Sequence, residues 1–293
     1  MKTGLFSEQP RLPELIDKIA DEEGLTAFGD RMPSPEAMSR LGAALEALTQ
    51  DGHKVSLLMA DLRVCAGVAC RCARPMCAQS TIKAIYVGAL LEARPQAVDE
   101  KGLYMYDAIV YSDNDSYETL RRTYGTAPLR RWCREAGVDE GFADQPYPRT
   151  YSARDMWKMW ARLYDFLNSG ADRSDFGRWL SCTIASATSA QLGDRFFVQT
   201  KAGWESGLDE KAPYDPSAPI PPEYCDGDPA NDECAINDTG IVYTERGPYI
   251  FVIYTDHPFG VFQNAVMHNP LGDLAQALYE VHDSYDIYRC GAD

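Results

Sequence analysis

No run of apolar residues in this chain approaches the roughly 18 that a membrane-crossing helix needs. The longest, Tyr249 to Tyr254, is the length of a strand. Basic clusters are also missing, which sets nucleic-acid binding aside because no face can displace counterions from phosphates. The first residues, Met1 to Phe6, contain no apolar core of a secretory leader. Histidine is scarce: His53, His257, His268 and His282 stand near no motif and read as structural. A Ser-His-Asp hydrolase finds little support, since Gly203-Trp204-Glu205-Ser206-Gly207 has one residue too many for a nucleophile elbow.

What is present is an ordinary globular composition over 293 residues, 45% hydrophobic and 25% charged, enough for a large core. The net charge of −16 is unevenly spread: residues 205–238 carry ten acids and one lysine, −9 of the total. That stretch reads as an acidic insertion. Within it Cys225 and Cys234 bracket a short loop in which Asp226, Asp228 and Asp232 lack the spacing of a calcium hand. Nine cysteines lean towards an oxidising compartment, so a periplasmic or secreted location is expected, with a cytoplasmic one as the alternative. Cys65, Cys70, Cys72 and Cys77 follow C-x4-C-x-C-x4-C, which leaves disulfides, buried thiols and a zinc site open.

Ser34-Pro35-Glu36 predicts a helix start, with Leu41, Leu45 and Leu48 on its apolar stripe. Lys54 to Leu62 reads as a strand, 80–93 as a buried helix, 104–111 as a shorter helix, and 153–168 as a helix whose Trp157, Trp160 and Tyr164 form a core stripe. Arg195 to Thr200 reads as a strand, Gly240–Thr244 and Tyr249–Thr255 as a hairpin, and Leu271–Tyr285 as a closing helix. Strands at both ends and helices in the middle predict an α/β (α+β) fold. In it, one antiparallel sheet is built from N- and C-terminal segments, with helices on both faces and an inserted helical region. The chain reads as a single catalytic domain with an N-terminal extension over 1–33, a helical region over 84–190 and the acidic insertion.

Three short motifs occur in order: Ser80-Thr81-Ile82-Lys83 opening an apolar helix, Ser112-Asp113-Asn114 following a helix, and Lys201-Ala202-Gly203 ending a strand. The i, i+3 spacing puts the Lys83 amine on the same helix face as the Ser80 hydroxyl, where it can act as the base that a serine nucleophile needs. A serine at a helix start also has backbone N–H groups around it for a developing oxyanion. Ser112 can relay a proton, Asn114 can hold substrate, and Lys201 offers positive charge. Each motif alone is a weak signal; the ordered set is specific.

The order S-x-x-K, S-D-N, K-T-G resembles the signature of class A β-lactamases and penicillin-binding proteins. Asn237 to Tyr243 and Gly247 to Thr255 resemble that family's late hairpin, and Thr150 to Met156 the segment after its omega loop. The resemblance spans roughly residues 35–290 and implies a β-lactamase/transpeptidase-like fold. It further implies Ser80 as acylated nucleophile, Lys83 as base, Ser112 and Asn114 as proton relay and substrate ligand, and Lys201 as carboxylate-binding cation. The backbone N–H groups of Ser80 and Trp204 would form the oxyanion hole, with Ala202 and Gly203 beside them at the substrate. The implied partner is a small-molecule β-lactam or a peptidoglycan-derived substrate, handled by a monomer with no cofactor and no metal.

The pattern is broken in three places. The family's E-x-x-L-N omega-loop motif is missing; Glu135, Asp139, Glu140 and Asp144 are the carboxylates of the corresponding stretch, and nothing local singles one out. Acylation without efficient hydrolysis, as in a penicillin-binding peptidase or a sensor, is therefore the alternative expectation. Ala202 stands where the family has a hydroxyl residue, a loss worth roughly 1.5–3 kcal/mol for a bond to a charged group. The stretch between Lys83 and Ser112 is also short.

Overall fold

The computed structural model describes residues 11–20, 23–50, 52–144, 150–172, 174–205, 235–257 and 270–285. In chain order the elements are α1 (Arg11–Asp17), β1 (Thr26–Gly29), α2 (Pro35–Thr49), β2 (Val55–Asp61), β3 (Ala66–Cys70) and β4 (Pro75–Cys77). A 3-10 turn (Gln79–Thr81) leads into α3 (Ile82–Ala93), α4 (Ala97–Val110), α5 (Asn114–Tyr124) and α6 (Ala127–Ala136). A second 3-10 turn (Glu140–Asp144) precedes β5 (Thr150–Ser152), α7 (Ala153–Asn168), α8 (Phe176–Trp179) and α9 (Ala187–Leu192). Strands β6 (Phe197–Glu205), β7 (Ala235–Thr244) and β8 (Gly247–Thr255) and helix α10 (Pro270–Ser284) complete the chain. The acidic stretch from 206 to 234, with Cys225, Cys234 and the three aspartates between them, lies outside the described residues, as does His268.

Six strands form one sheet in the order β1-β3-β2-β8-β7-β6, and every neighbouring pair is antiparallel. Strands from both ends of the chain meet at β2–β8, from Val55 opposite Thr255 to Asp61 opposite Tyr249, as the sequence predicts. Those two strands are apolar at nearly every position because both faces of the sheet are covered. Leu57 and Met59 of β2, with Phe251 and Ile253 of β8, pack under α2 and α10. Their alternates Leu58, Ala60, Ile250 and Val252 pack under α3 and α7. Strand β1, within the stretch read as an extension, is the outer strand beside β3.

Local signals start the helices where they should. The Ser34 hydroxyl accepts from the Ala37 N–H, with Pro35 at the first helical position, and Ser152 caps α7 through the Asp155 N–H. Trp157 and Trp160 are fully buried, the indole of Trp157 donating to the Ile250 carbonyl. The described histidines are structural: His53 faces Asp256, His257 meets the Leu48 carbonyl, and His282 sits between Thr244 and Asp61. No described helix is long and apolar enough to cross a membrane. Among the described residues no group of three or more His, Cys, Asp or Glu is gathered as metal ligands; the sulfurs of Cys70, Cys72 and Cys77 make hydrogen bonds instead.

Four boundaries differ most from the sequence reading. Strand β7 begins at Ala235, not Gly240, inside the stretch read as the acidic insertion. The helix expected over 104–111 is preceded by a helical turn that begins at Ala97, and the non-helical Lys101 (φ −139°, ψ 24°) forms a kink between the two. Ser80 lies in a 3-10 turn, and the α-helix starts only at Ile82. Strand β6 does not end at Lys201 but continues to Glu205, so the lysine sits mid-strand.

Candidate active site

The turn that carries Ser80 is built by close backbone contacts. The Thr81 hydroxyl and N–H both return to the Ala78 carbonyl, at 2.8 and 3.3 Å, and Gln79 adopts a left-handed φ of 47°. Asn237 anchors this turn from the sheet: its amide donates to the Cys77 carbonyl and its oxygen accepts from the Thr255 N–H. Ser80 emerges half-buried, lining a cavity of about 660 Å³.

Strand β6 is the edge strand of the sheet, and the turn that carries Ser80 packs against it at Gly203. The Thr200 N–H points away from β7, to the Leu180 carbonyl. By the two-residue alternation of a strand, the N–H groups of Ala202 and Trp204 point to that same edge. Only a glycine at position 203 allows the approach: a Cβ there would lie 2.7 Å from the Ala78 oxygen and 2.9 Å from the Ser80 nitrogen.

Ser112 is held in the left-handed region, φ 61°, between the end of α4 and the cap of α5, whose Asp113 carboxylate accepts from the Ser116 N–H. Such a conformation costs a non-glycine residue on the order of 1–3 kcal/mol and persists only when its surroundings fix it. Two buried lysines do so. Lys83 donates to the Ser112 carbonyl, to the Asn114 side-chain oxygen at 2.6 Å, and towards the Ser112 hydroxyl at 3.5 Å. Lys201 donates to the Ser112 hydroxyl at 2.9 Å and to the Ala202 carbonyl at 2.9 Å. The turn required by a Ser-Asp-Asn sequence thus delivers one hydroxyl between two amines.

Burial, then the nearby charge of Lys83, push the Lys201 amine well below the usual lysine range, with Asp238 opposing them. Asp238, on β7 opposite Ala202, is itself buried. One of its oxygens accepts from the Ser186 hydroxyl and the Thr188 N–H, yet burial still raises its carboxyl to about 6.

Of the eight residues expected at the site, Ser80, Lys83, Asn114 and Trp204 line the cavity. Ser112, Lys201, Ala202 and Gly203 form a layer behind it, tied to the front residues by the bonds above. The four omega-loop carboxylates stand elsewhere. Glu135 pairs with Arg162, Glu140 with Arg134 and Asp144 with Arg130, while Asp139 caps the Gly141 N–H.

Sequence reading missed the wall made by α5. Asn114, Tyr117, Glu118 and Arg121 recur at i, i+3, i+4 and i+7, the spacing of a single helix face, and that spacing could have found them. The Tyr117 ring lies 5.8 Å from the Lys83 amine, and Arg121 bridges the Tyr117 hydroxyl to the Ala143 carbonyl.

The family model described as "Beta-lactamase enzyme family" matches residues 103–282, more than half of the chain. The chain belongs to the β-lactamase enzyme family. The match takes in Ser112, Asn114 and Lys201 and begins after Ser80. Among solved structures, a β-lactamase from Streptosporangium roseum superposes with a TM-score of 0.59 at 18% identity, covering 86% of this chain and 100% of that one. β-Lactamases from Desulfarculus baarsii (TM-score 0.57, 17% identity, 86% and 98% covered) and Streptomyces albus G (0.55, 19%, 86% and 100%) are similar. At these identities the likeness is one of fold, and it agrees with the antiparallel sheet and helical layers expected of the β-lactamase family. No curated protein matches in sequence.

Proposed function

We propose that this β-lactamase-family protein is an acyl-transferring serine hydrolase that forms an ester on Ser80 with a β-lactam or a related amide or ester, and releases the acyl group slowly. The observation that carries this reading is the chain Lys83–Ser112–Lys201, whose Lys83 lines the same cavity as the half-buried Ser80.

In acylation the Ser80 oxygen bonds to the substrate carbonyl carbon while the Lys83 amine takes its proton. The carbonyl oxygen gains charge and is met by the N–H groups of Ser80 and Trp204, which strand β6 brings together around Gly203. As the carbon–nitrogen bond breaks, the proton passes from Lys83 through the Ser112 hydroxyl to the leaving nitrogen. Lys201 holds that hydroxyl in place at 2.9 Å.

Hydrolysis of the ester needs a second base to activate water. Among the described residues two carboxylates line the cavity, Glu118, which pairs with Arg122, and Glu205 beside Trp204, while the omega-loop carboxylates are committed to arginines or to a turn. The remainder of that loop, Gln145 to Arg149, contains no acid. This supports a long-lived acyl-enzyme, as in a penicillin-binding peptidase or a sensor. Treatment with a fluorescent penicillin and with p-nitrophenyl acetate, both in excess, tests it. Acylation of Ser80 by either, lost in Ser80→Ala and persisting after the reagent is removed, is expected. A label that Ser80→Ala retains refutes the assignment of the nucleophile.

A further inference from the structure

We propose that the leaving-group end of this site accepts a neutral group laid against the Trp204 indole, and that its preferred substrates carry no acid function beside the scissile bond. The proposal rests on the acyl-enzyme reading above and narrows its substrate class.

A lysine behind a strand edge can anchor a substrate carboxylate only if its ammonium is reachable. Here Lys201 has no exposed surface. Its amine donates to the Ser112 hydroxyl and the Ala202 carbonyl. The amine nitrogen lies 5.5 Å from the centre of the Trp204 ring, so the indole covers it. The cavity that Ser80 opens onto is lined at this end by Trp204 and Glu205, not by Lys201.

Position 202 removes the other anchor. Ala202 is 1% exposed and carries no hydroxyl to hydrogen-bond a carboxylate. A substrate acid entering at this end would leave water beside the Trp204 indole and the Glu205 carboxylate, while the two arginines of the cavity, Arg121 and Arg122, stand on α5. A neutral or aromatic leaving group meets the reverse situation: it buries apolar surface on the indole and gives up little.

Two thioesters with the same phenylacetyl group test this: the mercaptoacetate thioester, whose leaving thiol carries a carboxylate, and its methyl ester, whose leaving thiol is neutral. In each, the Ser80 oxygen bonds to the acyl carbon, the carbon–sulfur bond breaks, and the serine proton leaves on the thiol. Rates of Ser80 acylation are followed by intact-protein mass and peptide mapping. The neutral member should acylate the wild type at least tenfold faster. Ala202→Thr combined with Trp204→Ser should narrow or reverse that preference by at least tenfold, while Trp204→Phe, which keeps a ring over Lys201, should preserve it. Equal or faster acylation by the acid in the wild type overturns the proposal and leaves the acyl-enzyme reading standing. An unmodified Ser80 with both thioesters overturns the two together.

Discussion

Replacing Gly203 with alanine perturbs the contact on which the proposed oxyanion site depends, and its cost can be worked from the backbone. The new Cβ would lie 2.7 Å from the Ala78 oxygen, 2.9 Å from the Ser80 nitrogen and 3.1 Å from the Thr81 nitrogen. Ordinary contact begins near 3.4 Å, so the nucleophile turn and strand β6 must separate by several tenths of an ångström. All three neighbours are main-chain atoms, and no side chain can swing away to absorb the strain. A donor displaced from an oxyanion site costs about 2.7–4 kcal/mol of transition-state stabilisation, on the order of 10²–10³ in rate. Local overpacking costs the fold only about 1–3 kcal/mol, a shift of a few degrees in melting temperature. Acylation of Ser80 timed by mass spectrometry, alongside a thermal melt, separates the two. Gly203→Ala should remain folded and acylate at least about a hundredfold more slowly. A folded variant acylating within about threefold of wild type would refute the proposed oxyanion geometry.

Lys83→Ala removes the amine that faces both Ser112 and Asn114, and should slow acylation by about 10²–10⁴-fold, the usual worth of a general base; a wild-type rate in the same mass assay would remove Lys83 from the mechanism. Asp238→Asn keeps acceptors for Ser186 and Thr188 but cannot ionise. Because burial raises the wild-type carboxyl from 3.8 to about 6, its contribution to stability is complete below about pH 4 and is lost as the pH rises through about 6. The asparagine variant should therefore gain about 3 kcal/mol relative to wild type between about pH 4 and pH 8, read from denaturant unfolding at the two values. A pH-independent difference between the two proteins would contradict the burial argument.

Much of this architecture could be read from local signals. Serine caps at Ser34 and Ser152 place two helices, and the unbroken apolar runs of β2 and β8 announce strands covered on both faces. The three motifs named the residues that meet around Ser112 because each depends on short-range spacing: one helical turn, one capped turn, one strand. What escaped the sequence depends on packing between distant segments. That Lys201 is sealed requires Trp204, Ala202 and Ser112 to be seen together in space. The fate of the omega-loop acids was equally hidden, since the arginines that claim them include Arg162 of α7 and Arg130 and Arg134 of α6. Asp238 was visible only as part of a hairpin entry, and its burial beside Ala202 follows from the β6–β7 register.

The most direct test of the account is the intact mass of the wild type after exposure to p-nitrophenyl acetate or a fluorescent penicillin, with the modified peptide sequenced. One acyl group on Ser80, absent from Ser80→Ala and slow to leave once the reagent is removed, is the predicted result. A chain that stays unmodified at Ser80 under both reagents would contradict it.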